Sequence, residues 1–215
     1  MNIADDKQTL LQNMAEQAIF SGWNKTTLQQ ATHTSGLDHA YARILFPNGV
    51  SDLTSYFTIT IDQAMLQQIQ GDNLDQMRIR DRIPHLIMTR LNCYNSYTPN
   101  GKELMRQLTS YYANPCHSDA AIHTLWQTTD LMWRLAGDKA TDFNHYTKRL
   151  TLAGVYSSTL LYWIDDESIN NEDTQAFLNR RINNVMQFQK LKSAVTNRAA
   201  ELCKTINVAR PNHSN

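Results

Sequence analysis

Metal binding is the chemistry that the polar side chains of this sequence come closest to supporting. Asp142 and His145 are three residues apart, a spacing that places a carboxylate and an imidazole on one face of a helix. A di-iron bundle uses such a pair on two helices together with two further carboxylates, and this sequence contains the pair once. Cys116, His117 and His123 offer three zinc ligands, but no fourth ligand stands at an ordinary spacing. We therefore predict no metal site.

Catalytic motifs are also missing from the sequence. It contains no glycine-rich phosphate loop, no Gly-x-Ser-x-Gly motif and no convincing Cys and His pair for nucleophilic attack. The other histidines, His33, His39, His85 and His213, are isolated from one another in the sequence. We therefore expect a protein that is not an enzyme and that has no catalytic cofactor.

The elements that would position any site are predicted to be helices. The chain has 215 residues, of which 41% are apolar, but only 7 glycines and 5 prolines, too few for the frequent turns of a β-sandwich. Apolar residues recur at helical spacing, and no long segment alternates with a period of two. This pattern predicts an all-α protein, with a first helix ending before Gly22 and further helices at about residues 26–31, 37–45, 51–71, 74–95, 100–113, 118–136, 142–164, 172–189 and 190–207.

A short helix, a tight turn and a second short helix precede the first long helix. The pattern consists of Thr27 to Ala31, the turn Ser35-Gly36-Leu37, and then Tyr41, Phe46 and Leu53. It resembles the helix-turn-helix domain of TetR-type repressors, and this resemblance implies a TetR-like helical bundle. We accordingly expect a degenerate helix-turn-helix subdomain at 1–72, a second helical domain at 73–189, and an amphipathic C-terminal helix and tail at 190–215.

The charge of the helix-turn-helix region argues against DNA binding. Residues 1–75 contain 3 basic and 8 acidic side chains, although the whole chain is neutral. DNA affinity depends on several Lys or Arg contacts to phosphates, and this region offers only Lys7, Lys25 and Arg43. Asp38 also opens the helix that would enter the DNA groove. We therefore expect no nucleic acid partner. A ligand-responsive DNA-binding transcriptional regulator is the alternative, favoured only if Lys25 and Arg43 lie with other bases on one exposed face.

The most specific pattern of the sequence begins at Ala136. It reads Ala-Gly-Asp-Lys-Ala-Thr-Asp-Phe-Asn-His-Tyr-Thr-Lys-Arg and ends at Arg149, and an Ala-x-x-Tyr helix follows from Ala153. A Thr-x-x-Phe-Leu-x-x-Arg helix begins at Thr174. Over about residues 74–190, these motifs resemble the ubiquinone-biosynthesis accessory family that includes the ninth coenzyme Q protein of eukaryotes and its bacterial relatives.

The family resemblance implies a non-catalytic protein that binds lipid and presents isoprenoid quinone intermediates to the demethoxyubiquinone hydroxylase. An enzyme that acts on such intermediates needs a carrier protein, because each CH₂ buried in the membrane contributes about 0.8 kcal/mol and the membrane therefore retains a polyprenyl tail strongly. We expect an isoprenoid quinone or a phospholipid in a cavity of the C-terminal helices. The predicted lipid-binding residues are Met132, Trp133, Phe143, Leu150, Ala153, Gly154, Leu160 and Trp163.

The same resemblance implies an exposed patch that meets the hydroxylase. The predicted partner-binding residues are Met132, Asp142, His145, Tyr146 and Arg149. One of them departs from the family pattern, because His145 stands where the family has Trp after Asp-Phe-Asn. The loss of an aromatic anchor is expected to weaken or redirect this contact.

The end of the chain is predicted to contact a membrane surface. Residues 176–215 contain 7 basic side chains and 1 acidic side chain, and apolar residues recur there at helical spacing. The predicted membrane-binding residues are Phe188, Leu191, Lys192, Val195, Arg198, Leu202, Lys204 and Ile206. An anionic membrane is the expected partner. The alternative is that this stripe packs on its own domain or in a dimer, and we expect a homodimer formed through the last helices.

The sequence predicts a peripheral protein of the bacterial cytoplasm that docks on the inner membrane. The first residues carry Asp5 and Asp6 and lack the features of a signal peptide. The longest uncharged apolar-leaning run, Leu150 to Ile164, has 15 residues, which is shorter than a membrane crossing requires. Cys93, Cys116 and Cys203 give no disulfide pattern, as expected in a reducing compartment.

Overall fold

The fold is a bundle of α-helices, taken here from a computed structural model that describes residues 2–139 and 143–187, with only the backbone of Phe143. The described residues contain no strand. The helices are α1 (Ile3–Ser21), α2 (Lys25–Thr34), α3 (His39–Leu45), α4 (Val50–Gln68), α5 (Ile79–Tyr97), α6 (Gly101–Tyr112), α7 (Ser118–Leu135), α8 (Phe143–Ile164) and α9 (172–187). The predicted C-terminal helix and tail lie outside the described residues.

The first three helices form the predicted helix-turn-helix. The side chain of Asn24 accepts a hydrogen bond from the Thr27 backbone N–H and caps α2. Asp38 caps α3 by accepting from the backbone N–H groups of Ala40 and Tyr41, at 2.7 and 3.3 Å. The carboxylate of Asp38 therefore stabilises the helix that it precedes.

One apolar core joins this subdomain to the later helices. Phe57 of α4 is fully buried, and its ring centroid lies 5.7 Å from Trp23, 6.0 Å from Tyr94 and 5.2 Å from Tyr97. Helix α1 packs against both α2 and α6. The predicted boundary near residue 72 falls in the turn between α4 and α5, yet the core is continuous across it.

Several helix boundaries differ from the prediction. Helix α5 begins at Ile79 rather than at about residue 74, because the segment before it forms a short 3-10 turn at Leu74–Gln76. Helix α4 begins at Val50, one residue before its predicted start, and has Gly49 at its N-cap position. The side chain of Asp52 accepts from the Asn48 backbone N–H at 2.8 Å, and this bond fixes the turn that leads into α4. Among the described helices, none has both the length and the apolarity that a membrane crossing requires.

Candidate functional site

An apolar groove of about 290 Å³ lies between the first turns of α5, the end of α7, α8 and α9. Its walls are mainly aliphatic, and Trp133 adds an aromatic surface. The apolar groove is lined by Ile79, Arg80, Ile83, Trp133, Lys148, Thr151, Leu152, Val155, Ile182, Val185 and Met186. A surface of this composition suits the tail of a lipid, because burial of apolar area is the main source of affinity for such a ligand.

The Ala136–Arg149 motif shapes one wall of the apolar groove by ending α7. Gly137 has a φ of 86°, a left-handed conformation that favours glycine. The N–H of Asp138 donates to the Trp133 carbonyl oxygen at 3.0 Å, which closes the last turn of the helix. Arg82 of α5 donates to the Ala136 carbonyl oxygen at 2.9 Å. The end of α7 is therefore held against α5.

A buried ion-pair network joins α7 to α8. Arg149 is 2% exposed, and its Nε and Nη1 atoms lie 2.6 Å from Asp130 and 3.2 Å from Asp138. Lys148 pairs with the other oxygen of Asp138 at 2.6 Å. The indole N–H of Trp133 donates to the Lys148 carbonyl oxygen at 3.0 Å, so the same hairpin orients the tryptophan that lines the apolar groove.

A carboxylate cap positions α9, the helix that forms the fourth wall. Asp166 is buried and accepts from the backbone N–H groups of Ser168 and Thr174, at 2.7 and 2.9 Å, and from the Thr174 hydroxyl. Burial alone would raise the pKa of Asp166, but these hydrogen bonds outweigh it and lower the pKa to about 2. The carboxylate is therefore ionised at neutral pH and holds the start of α9.

A second cavity, the inner pocket, has a volume of about 200 Å³ and lies among α4, α5, α6, α7 and α8. It is lined by Thr58, Arg90, Tyr94, Met105, Leu108, Thr109, Tyr112, Ala121, Thr124, Leu125, Thr128, Tyr156, Ser157, Leu160 and Leu161. The inner pocket therefore differs from the apolar groove, because hydroxyl groups and a guanidinium alternate with its apolar side chains.

Arg90 is the centre of the polar network at the inner pocket. It donates to Asp62 at 2.7 Å and to the hydroxyl oxygens of Tyr94 and Tyr156, and its guanidinium lies 5.2 Å from both ring centroids. Thr128 donates to Asp62 at 3.2 Å. Burial opposes the charge of Arg90, but Tyr156, Tyr94 and Asp62 raise its pKa well above the ordinary value, so it remains a cation.

Three aromatic side chains of α7 and α8 meet at the surface and form an aromatic cluster. Trp126 stacks on Tyr146 with ring centroids 6.0 Å apart, and His145 contacts both rings. Tyr146 is 58% exposed, and Ile122 on the same helix as Trp126 is also exposed. The predicted partner-binding residues His145 and Tyr146 are therefore brought together, with Trp126 as a neighbour that the sequence pattern did not reveal.

The eight predicted lipid-binding residues do not line one cavity. Trp133 lines the apolar groove and Leu160 lines the inner pocket. Met132 and Trp163 are fully buried in the core, and Trp163 packs on Tyr94 at 5.8 Å. Ala153 is half-buried. The side chain of Phe143 lies outside the described residues.

The prediction that Leu150 and Gly154 line the interior is wrong for the described part of the fold. Leu150 is 64% exposed and Gly154 is exposed, with open space where a Cβ would stand. The two residues are four positions apart, so they share one face of α8, and the buried side chains Leu152, Val155 and Tyr156 occupy the other face.

Two predicted partner-binding residues are corrected in the same way. Met132 is fully buried, and Arg149 is consumed by its ion pairs with Asp130 and Asp138, so neither belongs to an exposed patch. A buried cation needs paired carboxylates, which explains why the motif contains acidic and basic residues together. Asp142 lies outside the described residues, as do all eight predicted membrane-binding residues from Phe188 to Ile206.

Lys25 and Arg43 line a common N-terminal groove. This groove has a volume of about 850 Å³ between α2, α3 and the start of α4, and His39 and His117 also line it. Neither cation pairs with a carboxylate among the described residues. Two full charges remain fewer than a DNA-binding module normally uses.

Within residues 2–139 and 143–187, no group of three or more His, Cys, Asp or Glu side chains is arranged to hold a metal ion. His117 instead stacks on Tyr111 with a centroid distance of 3.9 Å and bonds to the Tyr111 carbonyl oxygen. Sequence reasoning missed Asp62, Arg90 and Tyr156, which lie on three different helices and carry no local motif.

A family model matches the segment of the chain that forms α7, α8 and α9, the three helices that line most of the apolar groove. Residues 118–189 match the COQ9 family model. The ubiquinone biosynthesis protein COQ9 of Rattus norvegicus is 30% identical over 177 residues, which cover 77% of this chain and 54% of that protein. The resemblance to the COQ9 family is confirmed. The coq9 protein of Schizosaccharomyces pombe is 26% identical over 193 residues, covering 90% of this chain and 75% of that protein.

Two facts qualify the likeness to COQ9. The chain spans about half the length of the rat and human COQ9 relatives that it matches. The residues that match the COQ9 family include the Arg149 network but not Asp62 or Arg90 of the inner pocket.

Among solved structures, a TetR transcriptional regulator from Nitrosomonas europaea superimposes with a TM-score of 0.65 at 20% identity, covering 82% of this chain and 95% of that one. This match confirms the predicted all-α, TetR-like fold.

Proposed function

We propose that this chain is a non-catalytic accessory protein of ubiquinone biosynthesis that binds isoprenoid quinone intermediates and presents them to the demethoxyubiquinone hydroxylase. The observation that carries the proposal is the apolar groove, because three of its four walls belong to the segment that matches COQ9. The assignment to ubiquinone biosynthesis rests on the names of the relatives, and the choice of an apolar ligand rests on the composition of the groove.

The size of the apolar groove suits part of a polyprenyl tail. Ligand pockets commonly range from about 300 to 1,000 Å³, and the described groove lies just below that range at about 290 Å³. Burying the five carbons of one isoprene unit contributes about 4 kcal/mol before ordering costs. Contact with one or two units therefore offsets much of the cost of lifting the tail from the membrane.

Helix α9 lines the apolar groove and is followed in the sequence by the proposed membrane-binding segment. Ile182, Val185 and Met186 of α9 line the groove, and the described part of this helix ends at residue 187. The predicted membrane-binding segment from Phe188 to Ile206 follows directly in the sequence. In our proposal this basic, apolar segment docks on anionic lipid, and a tail passes from the bilayer along α9 into the groove.

The aromatic cluster is the proposed contact for the hydroxylase. Aromatic side chains are the commonest anchors of protein interfaces, and Tyr146 and Trp126 present a stacked pair at the surface. His145 replaces the family's tryptophan within the same cluster, so the neighbouring Trp126 supplies the indole ring. We also propose a homodimer that forms through the last helices.

Native mass spectrometry of the purified full chain tests the lipid proposal. We expect a co-purified polyprenyl lipid or quinone that is lost when Ile182→Trp fills the apolar groove. Leu150→Trp is the matched control, because it adds the same ring on the exposed face of α8. An empty wild-type protein, or equal lipid retention by Ile182→Trp and Leu150→Trp with unchanged thermal unfolding, would contradict the assignment.

A ligand-responsive DNA-binding regulator is the second candidate. It is favoured by one observation, the placement of Lys25 and Arg43 in a single groove with two histidines. A fluorescence-anisotropy titration with random-sequence duplex DNA at 50 mM and 200 mM salt distinguishes the two functions. Micromolar binding that weakens steeply with salt and is lost in Lys25→Ala and Arg43→Ala would support the regulator, since phosphate contacts are salt-dependent.

A further inference from the structure

The inner pocket contains more hydrogen-bond donors than the surrounding protein uses. Tyr94 and Tyr156 are both buried, and the hydroxyl oxygen of each accepts from Arg90. Each phenol keeps its own proton, and the two oxygens lie 3.3 Å apart. Only one of the two phenol protons can lie between these oxygens. The other phenol has no acceptor for its proton among the described residues. At least one phenol O–H is therefore left to donate.

Tyr112 adds a second unused donor at the inner pocket. Its hydroxyl is buried and finds no partner at good hydrogen-bond geometry within the described part of the chain, although the hydroxyls of Thr54, Thr58 and Thr124 lie near it. The nearby hydroxyls of Thr58 and Thr124 donate to carbonyl oxygens of their own helices, at 3.1 and 2.9 Å. A buried donor without a partner costs about 1–3 kcal/mol, so a ligand that supplies an acceptor is favoured at this position.

The tyrosines remain donors at any physiological pH. Burial raises the pKa of Tyr156 well above its ordinary value, although Arg90 opposes this change. Burial also raises the pKa of Tyr112. The charge of Arg90 is already compensated by Asp62 at 2.7 Å, so the pocket offers neutral O–H donors rather than a free cation. It therefore favours a neutral acceptor over an anion.

We propose that the inner pocket binds a compact, neutral ring that carries acceptor oxygens, of the benzoquinone class. The ring accepts hydrogen bonds from Tyr112 and from the Tyr94 and Tyr156 pair, and Arg90 positions that pair. Met105, Leu108, Leu125 and Leu160 supply apolar surface for its faces. The choice of a quinone ring rests on the proposed function, whereas the requirement for acceptor oxygens rests on the hydroxyl groups alone.

The volume and the mouth of the inner pocket support this choice. A cavity of about 200 Å³ holds a substituted six-membered ring but not a polyprenyl tail. Leu161 of α8 lines the pocket and is half exposed, so the pocket reaches the surface near this residue. The site is therefore separate in composition and size from the apolar groove that is proposed to hold the tail.

Equilibrium dialysis of the full chain against duroquinone tests the inference. This tetramethyl-1,4-benzoquinone has no ring hydrogen, so it does not add to the thiols of Cys93, Cys116 and Cys203. Durene, the same methylated ring without oxygens, is the ligand control. We expect duroquinone to bind at least tenfold more tightly than durene. Equal affinity for the two ligands, or no binding of duroquinone, would overturn the proposal.

Tyrosine variants identify the donors. We expect Tyr112→Phe and Tyr156→Phe each to weaken duroquinone binding by about fivefold to tenfold, the usual effect of one hydrogen bond. Tyr112→Phe is also expected to unfold at an equal or higher temperature, because it removes an unpaired hydroxyl; a purely structural role would not produce tighter folding with weaker binding. Tyr111→Phe is the matched control, since Tyr111 lines the N-terminal groove instead. Unchanged binding in both test variants would refute the ring site.

The ring site and the proposed lipid function can fail independently. If Ile182→Trp loses polyprenyl lipid while duroquinone binding depends on neither Tyr112 nor Tyr156, the function stands and the ring site is refuted. If duroquinone binding depends on these tyrosines while no polyprenyl lipid is retained, the ring site is supported and the tail groove is refuted.

Discussion

Arg90 of α5 and Asp62 of α4 form a buried ion pair in which Nε and Oδ1 are 2.7 Å apart. Arg90 is 2% exposed. The pair fixes the spacing of two helices at the inner pocket, and it explains how a guanidinium is tolerated beside aliphatic side chains. Two charges are costly to bury, so such a pair stabilises a protein mainly when both partners are kept.

Removing one partner of this pair should be strongly destabilising. We expect Asp62→Asn to lower the free energy of unfolding by about 3–5 kcal/mol, because Arg90 then remains buried without a counter-charge. Chemical denaturation followed by circular dichroism measures the change. Asp165→Asn is the control, since its pair with Arg106 is exposed and should contribute at most about 1 kcal/mol. Equal losses in the two variants would contradict this reading.

Arg149 should be more important for stability than for partner contact. Arg149→Met leaves Asp138 without its buried guanidinium, and we expect a loss of about 3 kcal/mol in the free energy of unfolding together with weaker lipid retention. Arg134→Met also removes a contact to Asp130, but Arg134 is exposed, so we expect a loss below about 1 kcal/mol. Wild-type stability in Arg149→Met would show that the hairpin does not depend on the network.

Two glycines of the COQ9-matching segment should respond in opposite directions to alanine. Gly137 has a φ of 86°, and a Cβ there would lie 3.1 Å from Arg82 Nη1, so Gly137→Ala should destabilise by about 1–2 kcal/mol. Gly154 lies within α8 with open space around the Cβ position, so Gly154→Ala should stabilise by about 0.5–1 kcal/mol. Thermal unfolding of the two variants provides the comparison. A shift of the same sign in both would be unexpected.

The cap of α9 predicts a specific dependence of stability on pH. The pKa of Asp166 is about 2 in the folded chain, below its ordinary value of 3.8, so ionised Asp166 stabilises the fold above about pH 4. This contribution, about 2 kcal/mol, should be lost progressively as the pH falls from about 4 toward 2. Asp166→Asn should be less stable at pH 7 by a similar amount and should converge with the wild type in acid. Parallel pH profiles would contradict the assignment.

The sequence was sufficient to predict the helices but not the cavities. Periodicity and the glycine signals at Gly22 and Gly137 located the helix ends, because these are local properties of the backbone. The faces of α8 were harder to assign, since its apolar residues lie on all sides and Leu150 is exposed. The residues Arg90 and Tyr156 are 66 positions apart in the sequence, so no local sequence pattern predicts their contact.

The partner patch shows the same limit in another form. The motif led us to place buried and exposed residues in one patch, because a sequence motif does not separate residues that bind a partner from those that stabilise the fold. His145 and Tyr146 are at the surface, whereas Arg149 is enclosed by two carboxylates from α7 and the turn after it. Those pairings depend on how two helices fold back on one another, which only the three-dimensional structure supplies.

The ring contacts of Phe57 give the first three helices a role in stabilising the later ones. Trp23 covers one side of this phenylalanine, and Tyr94 and Tyr97 cover others. The N-terminal helices therefore support the packing of the later helices. Cutting them away would open the hydrophobic interior to water. The stability of the later helices therefore depends on the first three helices.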